Sequence, residues 1–364
     1  MRRAKLFSLV CLCVCLVMAV SMLAGCQQTP ATTAPTTTPT PTAPGETTAT
    51  PPVEEWKPTR DMSILIGFPA GGGMDIMSRL LIPGLQEVYG VNVIPNNMSG
   101  ANSGVSAEYL MKEAADGYLI WAFSAGAVTF PATGVSPYYY KDIQMLAIVQ
   151  GCFPTVSVPI DSPIKDMGDL ITLLKEGGTT CSNSGIGGIW HVPQIMVVEA
   201  VNGSTNYVPY NGGKETVMAA AQGEVDWCIS DLSEARTFIN DKMLRPLAVY
   251  AHEPQELEGY GVIPSILDWI PELEEAISAS NGFRGIGIKR GAPDNVVKSL
   301  ISAIEYACTT PDFIEKTESA GIAPLAIFGE EAEALTEAAT KYACWSLFDS
   351  GNAAQDPATV GLTR

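Results

Sequence analysis

The chain has 364 residues, 46% of them apolar and 16% charged, with a formal net charge of −18 at pH 7. That is enough apolar material for one large core or two ordinary domains. So acidic a surface repels nucleic-acid backbones and anionic lipid, which argues against nucleic-acid binding, yet backbone amides inside a cleft can still hold an anion.

In chain order, "MRRAK" is a positive n-region, "LFSLVCLCVCLVMAVSM" an apolar h-region, and "LAGC" (Leu23–Cys26) a run of small residues ending in cysteine. This predicts a bacterial lipoprotein signal over residues 1–25, with Cys26 carrying the lipid; a plain secretory signal or an N-terminal membrane helix is the alternative. Residues 26–59 are nearly all Thr, Pro and Ala. They bury too little apolar surface to offset chain entropy and read as an extended, disordered tether. Folding is expected to start near Arg60. No later run approaches the ~20 apolar residues of a membrane span.

From residue 62, short apolar runs alternate with helical stretches. "SILIGF" is a strand and "MDIMSRLLIPGLQEVYG" a helix; "VNVIPN", "GYLIWAF" and "QMLAIVQ" are strands, with the helix "GANSGVSAEYLMKEA" after the first of them. "TVSVP", "TTCSNS", "TNYVPY", "EVDWCIS" and "LRPLAVY" follow as strands, separated by helices. The C-terminal third reads as one strand and then mostly helices. Strand–helix alternation with nearly continuous apolar strands predicts an α/β fold with parallel sheets covered on both faces. About ten strands fit two smaller sheets with a cleft between them better than one sheet.

Nine cysteines occur. Three leave with the signal and Cys26 takes lipid, so Cys152, Cys181, Cys228, Cys308 and Cys344 remain, an odd number that permits one or two disulfides of undetermined pairing. With no CxxC spacing and only His191 and His252, no metal site is expected, and no cofactor.

Three segments carry candidate chemistry. In "FPAGGGMD", glycines bring backbone N–H groups close to a ligand, and the following helix aims its free N–H groups and positive dipole end at the same place. Asp75 can cap that helix or take a ligand hydroxyl. No Gly-Lys-Ser/Thr follows, so this is not a P-loop. "CSNSGIGGIWH" repeats the logic, with Ser182, Asn183 and Ser184 as further donors, Gly185, Gly187 and Gly188 in the loop, and His191 on the first helical turn. His191 is either a packed or capping residue or, less favoured, a catalytic base; no G-x-S-x-G elbow accompanies it. Third, Tyr210, Asn211, Gly212 and Gly213 precede a helix, and Asp231 ends a strand as either an N-cap or a cleft residue. Gly100 and Asn102 make a weaker fourth. Glycine loops at strand ends, far apart in sequence, suggest two lobes clamping a carboxylate or other anion.

"FPAGGGMDIMSRLL", "GANSGVSAEYLMKEAADGYLI", "SGIGGIWH", "YVPYNGGKETVMAAAQGEVDWCISDLSEA" and "LRPLAVY" together resemble the substrate-binding proteins of tripartite tricarboxylate transporters, the Bug-type receptors, over roughly residues 60–348. The resemblance implies a two-lobed periplasmic-binding-protein (type II, Venus-flytrap) fold, each lobe a mostly parallel sheet flanked by helices. It implies lobe 1 at residues 60–157 plus 284–364, lobe 2 at 158–283, and hinge crossings near Thr155–Pro159 and Asn281–Gly285. It further implies a ligand carboxylate gripped through main-chain amides by Phe68, Pro69, Ala70, Gly71, Gly72, Gly73 and Asp75, and by Ser182, Asn183, Ser184, Gly185, Gly187, Gly188 and His191. Asp231 sits where the family often places a residue selecting the ligand's far end. Gly188 replaces the family's serine, Met74 its usual Thr or Ser, and Trp190 adds a bulky aromatic.

The expected protein is therefore a non-enzymatic, monomeric, lipid-anchored receptor outside the plasma membrane. It passes a small carboxylate to the membrane subunits of a transporter. The alternatives are a binding protein serving a sensor kinase and, less favoured, a secreted Ser/Cys–His hydrolase.

Overall fold

The computed structural model describes residues 55–280, 282–319 and 322–364. The expected signal, the expected lipidation site at Cys26 and the expected tether up to residue 54 lie outside the described residues. The body begins before Arg60. Trp56 packs edge-on between Tyr89 and Tyr118 at 5.8 and 5.6 Å, and its carbonyl accepts a hydrogen bond from Ser299 Oγ at 2.8 Å. The sole tryptophan of the expected tether supplies an aromatic anchor that the Thr/Pro run lacks.

In chain order the elements are β1 (Met62–Ile66), α1 (Gly73–Tyr89), β2 (Val93–Asn97), α2 (Gly104–Lys112), β3 (Leu119–Ser124), β4 (Ile143–Gly151), β5 (Pro154–Pro159), α3 (Met167–Glu176), β6 (Thr179–Asn183), α4 (His191–Ala200), β7 (Thr205–Pro209) and α5 (Gly213–Ala221). Then come β8 (Trp227–Asp231), α6 (Leu232–Asn240), β9 (Leu244–Val249), β10 (Gln255–Leu257), β11 (Gly261–Ile263), α7 (Glu274–Ser280), β12 (Phe283–Lys289), α8 (Asp294–Thr309), α9 (Pro311–Ser319), β13 (Ala323–Phe328) and α10 (Gly329–Asp349).

Two main sheets result, as the alternation predicts. The first has the order β13-β4-β12-β3-β1-β2 and the second β7-β6-β8-β5-β9. Both are mixed. β1 runs parallel to β2 and β3, and β6 runs parallel to β7 and β8. The strands entering or leaving the crossings are antiparallel: β12 to β3 and β4, and β5 to β8 and β9. A chain that leaves one sheet and enters another need not return through a right-handed helical crossover, which frees the direction of β5 and β12; β13, at the edge of the first sheet, also runs antiparallel to β4.

All of β5, Pro154–Pro159, pairs within the second sheet, and the chain passes from the first sheet to the second through Cys152 and Phe153. Phe283 already pairs with Gly151 in the first sheet, one residue earlier than the boundary at 284. The β10–β11 hairpin and β13 were not foreseen. The hairpin strands are three residues long and carry exposed Val262, too short and wet for a period-2 pattern.

Each sheet is covered on both faces. Met77, Leu81 and Leu85 of α1 pack with Leu300, Ile304 and Ala307 of α8 over Ile64 and Ile66. On the opposite face, Leu65, Trp121 and Phe123 meet Leu110 and the small residues Ala332, Ala339 and Ala343 of α10. In the second lobe, Val156, Val158, Trp227 and Ile229 pack against Leu170, Leu174, Val197 and Val198. α10 also reaches the other lobe, where Cys344 and Leu347 pack on Val192 and Ile195 of α4.

α1 and α8 touch at Gly84, where a Cβ would lie 2.6 Å from both Cα and Cβ of Ala307. Gly84→Ala is expected to force the helices apart and destabilise the protein by about 1–2 kcal/mol net, overpacking outweighing the better helix propensity of alanine. Urea denaturation at an unchanged m-value tests this; a gain in stability would show that the helices part freely.

The five body cysteines are all free thiols. Burial pushes Cys228 and Cys344 up to about 12, so neither is a thiolate at neutral pH.

Candidate functional site

A cavity of about 360 Å³ opens between the lobes, lined by residues of both sheets' loops. The first glycine loop contributes Phe68, Pro69, Ala70, Gly72, Gly73 and Met74. The second contributes Ser184, Ile189 and Trp190, and the third Gly212, Gly213, Lys214, Glu215 and Met218. Ser124, Glu234 and Arg284 complete it.

The first loop has the expected form: β1 ends, Gly71 turns through a left-handed φ of 77°, and α1 starts at Gly73 with no side-chain cap. Gly72, Gly73 and Met74 of this turn line the cavity, with the Gly73 N–H donating to the Glu234 carboxylate and the Gly72 N–H to Pro69 O at 3.4 Å. Asp75 does not. Its carboxylate is buried behind the loop and accepts hydrogen bonds from Gly71 N (2.9 Å), Arg79 Nε (2.9 Å) and Asn97 Nδ2 (3.0 Å). Burial works against ionisation, but the bonds from Arg79, Gly71 and Asn97 outweigh it and hold the carboxyl below its ordinary range. Asp75 therefore braces the turn, and Gly71 lies off the cavity with it.

In the second loop only Ser184 of the expected residues lines the cavity, and its buried Oγ has no hydrogen-bond partner. Ser182 Oγ donates to Thr216 O (2.9 Å), and Asn183 Oδ1 accepts from Gly185 N (2.9 Å); these residues shape the loop from behind. Gly187 faces the first lobe, its carbonyl accepting from Thr129 Oγ1 at 2.7 Å, a direct bond across the closed cleft. Gly188 lies beside the cavity, and a Cβ there would meet Ser184 Oγ at 2.8 Å and Gly185 O at 2.9 Å. The serine usual at this position does not fit this loop.

His191 is buried, with Nδ1 accepting from Gly187 N at 2.9 Å and its ring edge-on to Tyr207 at 4.7 Å. Accepting at Nδ1 puts the ring proton on Nε2, which has no partner. Burial lowers its pKa to about 4, so the ring is neutral. It lies outside the cavity and makes no bond to a Ser or Cys nucleophile, which is the packed reading and not the catalytic one.

Asp231 is the N-cap of α6, with Oδ1 accepting from Ser233 N at 2.8 Å and from Ser233 Oγ. It sits just behind the cavity wall, where Oδ2 lies 3.7 Å from Arg284 Nη2. Glu234, one turn later, places Oε1 3.6 Å from the same nitrogen. Arg284 is 2% exposed, and its Nη1 has no hydrogen-bond partner.

This buried triad explains two of the glycines. A Cβ on Gly73 would collide with the Arg284 guanidinium, and one on Gly213 with the Glu234 carboxylate. Both glycines open helices, so the triad lies against the N-termini of α1 and α5 together. Burial, only partly offset by Arg284, raises Glu234 to about 7; Asp231 adds to the rise, while the N–H groups of Gly73 and Asp231 oppose it. The carboxylates keep Arg284 fully charged despite its burial.

Arg284 and Glu234 were missed in the sequence. The available signal was "NGFRGIGIK", a single arginine inside an apolar strand, which requires a buried partner. Trp190 and Met74, noted as departures from the family pattern, both line the cavity.

The family model described as "Tripartite tricarboxylate transporter family receptor" (TctC) matches residues 77–341. Among curated relatives, the UPF0065 protein in the tcbD–tcbE intergenic region of Pseudomonas sp. (strain P51) is 26% identical over 274 residues, covering 73% of this chain and 79% of the relative. Protein BugT of Bordetella pertussis is 25% identical over 202 residues, 54% of this chain and 62% of its own. Among solved structures, periplasmic binding protein BugD superposes with a TM-score of 0.70 at 20% identity, over 82% of this chain and 100% of its own. Rpa4515 of R. palustris with adipate superposes at 0.71 and 23% identity, over 81% and 98%. These structures share the two-lobed fold. With a model match across most of the folded body and both lobes in place around an interlobe cavity, the chain belongs to the tripartite tricarboxylate transporter receptor family.

Proposed function

We propose that this protein is a lipid-anchored extracytoplasmic receptor that captures a small organic carboxylate between its lobes and hands it to the membrane subunits of a tripartite transporter. The observation that carries the reading is the cavity itself. The buried guanidinium of Arg284, the unpartnered Ser184 Oγ and the N-terminal turns of α1 and α5 line one small interlobe space; although Glu234 takes the Gly73 N–H, the arginine and the remaining N-terminal amides favour an anion. The family supports the transport role, and its relatives with bound adipate and malate support a carboxylate as ligand. No nucleophile faces a base in the cavity, so capture without chemistry fits the geometry best. Closure on the ligand would proceed by rotation about the two crossings.

The test is a panel of mono-, di- and tricarboxylates read by thermal shift and titration calorimetry. We expect 1:1 binding in the ~micromolar range, about −8 kcal/mol, and about 2.7 kcal/mol of added stability at a hundredfold excess over Kd. A panel without a single stabilising compound would sink the reading. Labelling with a radioactive fatty acid, lost on Cys26→Ala, tests the anchor.

A further inference from the structure

We propose that the cavity selects a singly charged carboxylate with an apolar body over a di- or tricarboxylate of the same length, and that Arg284 seats its carboxylate while Glu234 excludes a second one. This rests on the carboxylate reading above and narrows its ligand class.

The charge inventory argues first. Arg284 already faces Asp231 and Glu234 at 3.7 and 3.6 Å, so one cation meets two carboxylates before any ligand arrives. Glu215 adds a third acidic group at the wall, and Lys214 is its neighbour on an exposed position. An exposed lysine beside a glutamate gives a second ligand carboxylate little net attraction. One anion can be matched by the Arg284 guanidinium with the unpartnered Ser184 Oγ; a second finds no further buried cation among the described residues that line the cavity.

The walls argue second. Phe68, Pro69, Met74, Ile189, Trp190 and Met218 form the apolar part of the wall, beside the hydroxyls of Ser124 and Ser184. An apolar ligand body gains by leaving water against them, whereas a charged group there loses hydration without replacement.

Glu234 makes the discrimination active. It is faced by Arg284 from β12, by Asp231 at the start of its own helix, by the Gly73 N–H of α1 and by the Cys152 thiol at the crossing. Where it is ionised, above its raised pKa of about 7, its charge repels any ligand carboxylate, and a dicarboxylate brings two charges under that repulsion where a monocarboxylate brings one.

The experiment compares hexanoate, adipate and norleucine, which share a six-carbon chain, and 3-phenylpropanoate with its 4-carboxy derivative, all by calorimetry on the full chain. Hexanoate or 3-phenylpropanoate should bind at least tenfold tighter than its dicarboxylate partner at pH 7.5. In Glu234→Gln that ratio should shrink at least tenfold, since a neutral amide no longer repels the second charge. Should the variant fold poorly, the wild-type ratio should widen from pH 6.5 to 8.5 as Glu234 ionises. Equal or tighter binding of the dicarboxylates, tighter binding of norleucine than hexanoate, or a ratio that neither variant nor pH moves would overturn the proposal. If adipate or citrate binds and the monocarboxylates do not, the selectivity falls while the carboxylate reading stands. If no compound binds, both fall.

Discussion

Replacing Arg284 with methionine is expected to destabilise the protein by about 3–5 kcal/mol, because it strips the counter-charge from two buried carboxylates and leaves them in low dielectric. Asp231 and Glu234 each keep one unpartnered oxygen even in the wild type, and the donors that remain, Ser233 for Asp231 and the Gly73 and Asp231 N–H groups for Glu234, carry no charge to replace the arginine. Glu234, already poised near neutrality, can escape by taking a proton; Asp231, fixed as the cap of α6, escapes less easily. The double variant Arg284→Met/Glu234→Gln should therefore recover part of the loss, a non-additivity diagnostic of direct coupling. Urea midpoints at constant m-value give both numbers. A single-variant loss below about 1 kcal/mol would mean that water, and not the arginine, compensates these carboxylates.

The second large effect concerns pH. Glu234 is raised from 4.5 to about 7. Its contribution to stability is fully present below the unfolded pKa and is lost as pH rises through the folded one. His191 is lowered from 6.5 to about 4. Its contribution is present above the unfolded pKa and is lost as pH falls through the folded one. Each is on the order of 3 kcal/mol across its window. The windows overlap and the signs oppose, so the wild type should show a nearly flat stability between pH 4.5 and 6.5. Glu234→Gln should unmask the histidine, with stability falling relative to wild type on acidification. His191→Gln should unmask the glutamate, with stability rising relative to wild type over the same range. Two single variants whose profiles both parallel the wild type would refute this compensation.

Much of the fold was legible because its signals are local. The run "SILIGF" before three glycines and an amphipathic helix carries β1, its turn and α1 almost residue for residue. The direction of β5 and β12 was not legible. Nothing in "PTVSVP" or "FRGIGIK" records that these strands enter a different sheet from the one just left.

The site divides in the same way. Phe68, Pro69, Ala70, Gly72, Gly73 and Ser184 line the cavity because backbone turns are written in glycine and small polar residues. Asp75, Asn183 and His191 were placed with them by proximity in sequence, but their hydrogen-bonding atoms turn inward to hold the loops. Arg284 and Glu234 come from segments fifty residues apart. Arg284 meets Gly73 within the first lobe and Glu234 meets Gly213 within the second, and only the meeting of the two lobes pairs the arginine with the glutamate, so no local pattern could announce them. Those glycines looked like room for a ligand; part of that room is taken by the protein's own ion pair.

The anchorage of Trp56 has a mechanical consequence. Its ring sits between Tyr89 and Tyr118 and its carbonyl is held by Ser299, all three in the lobe of the first sheet. Any tug transmitted along the upstream chain thus enters that lobe alone. Under the proposed anchorage, the lobe of the second sheet would be left free to move while the lobe of the first sheet takes the load.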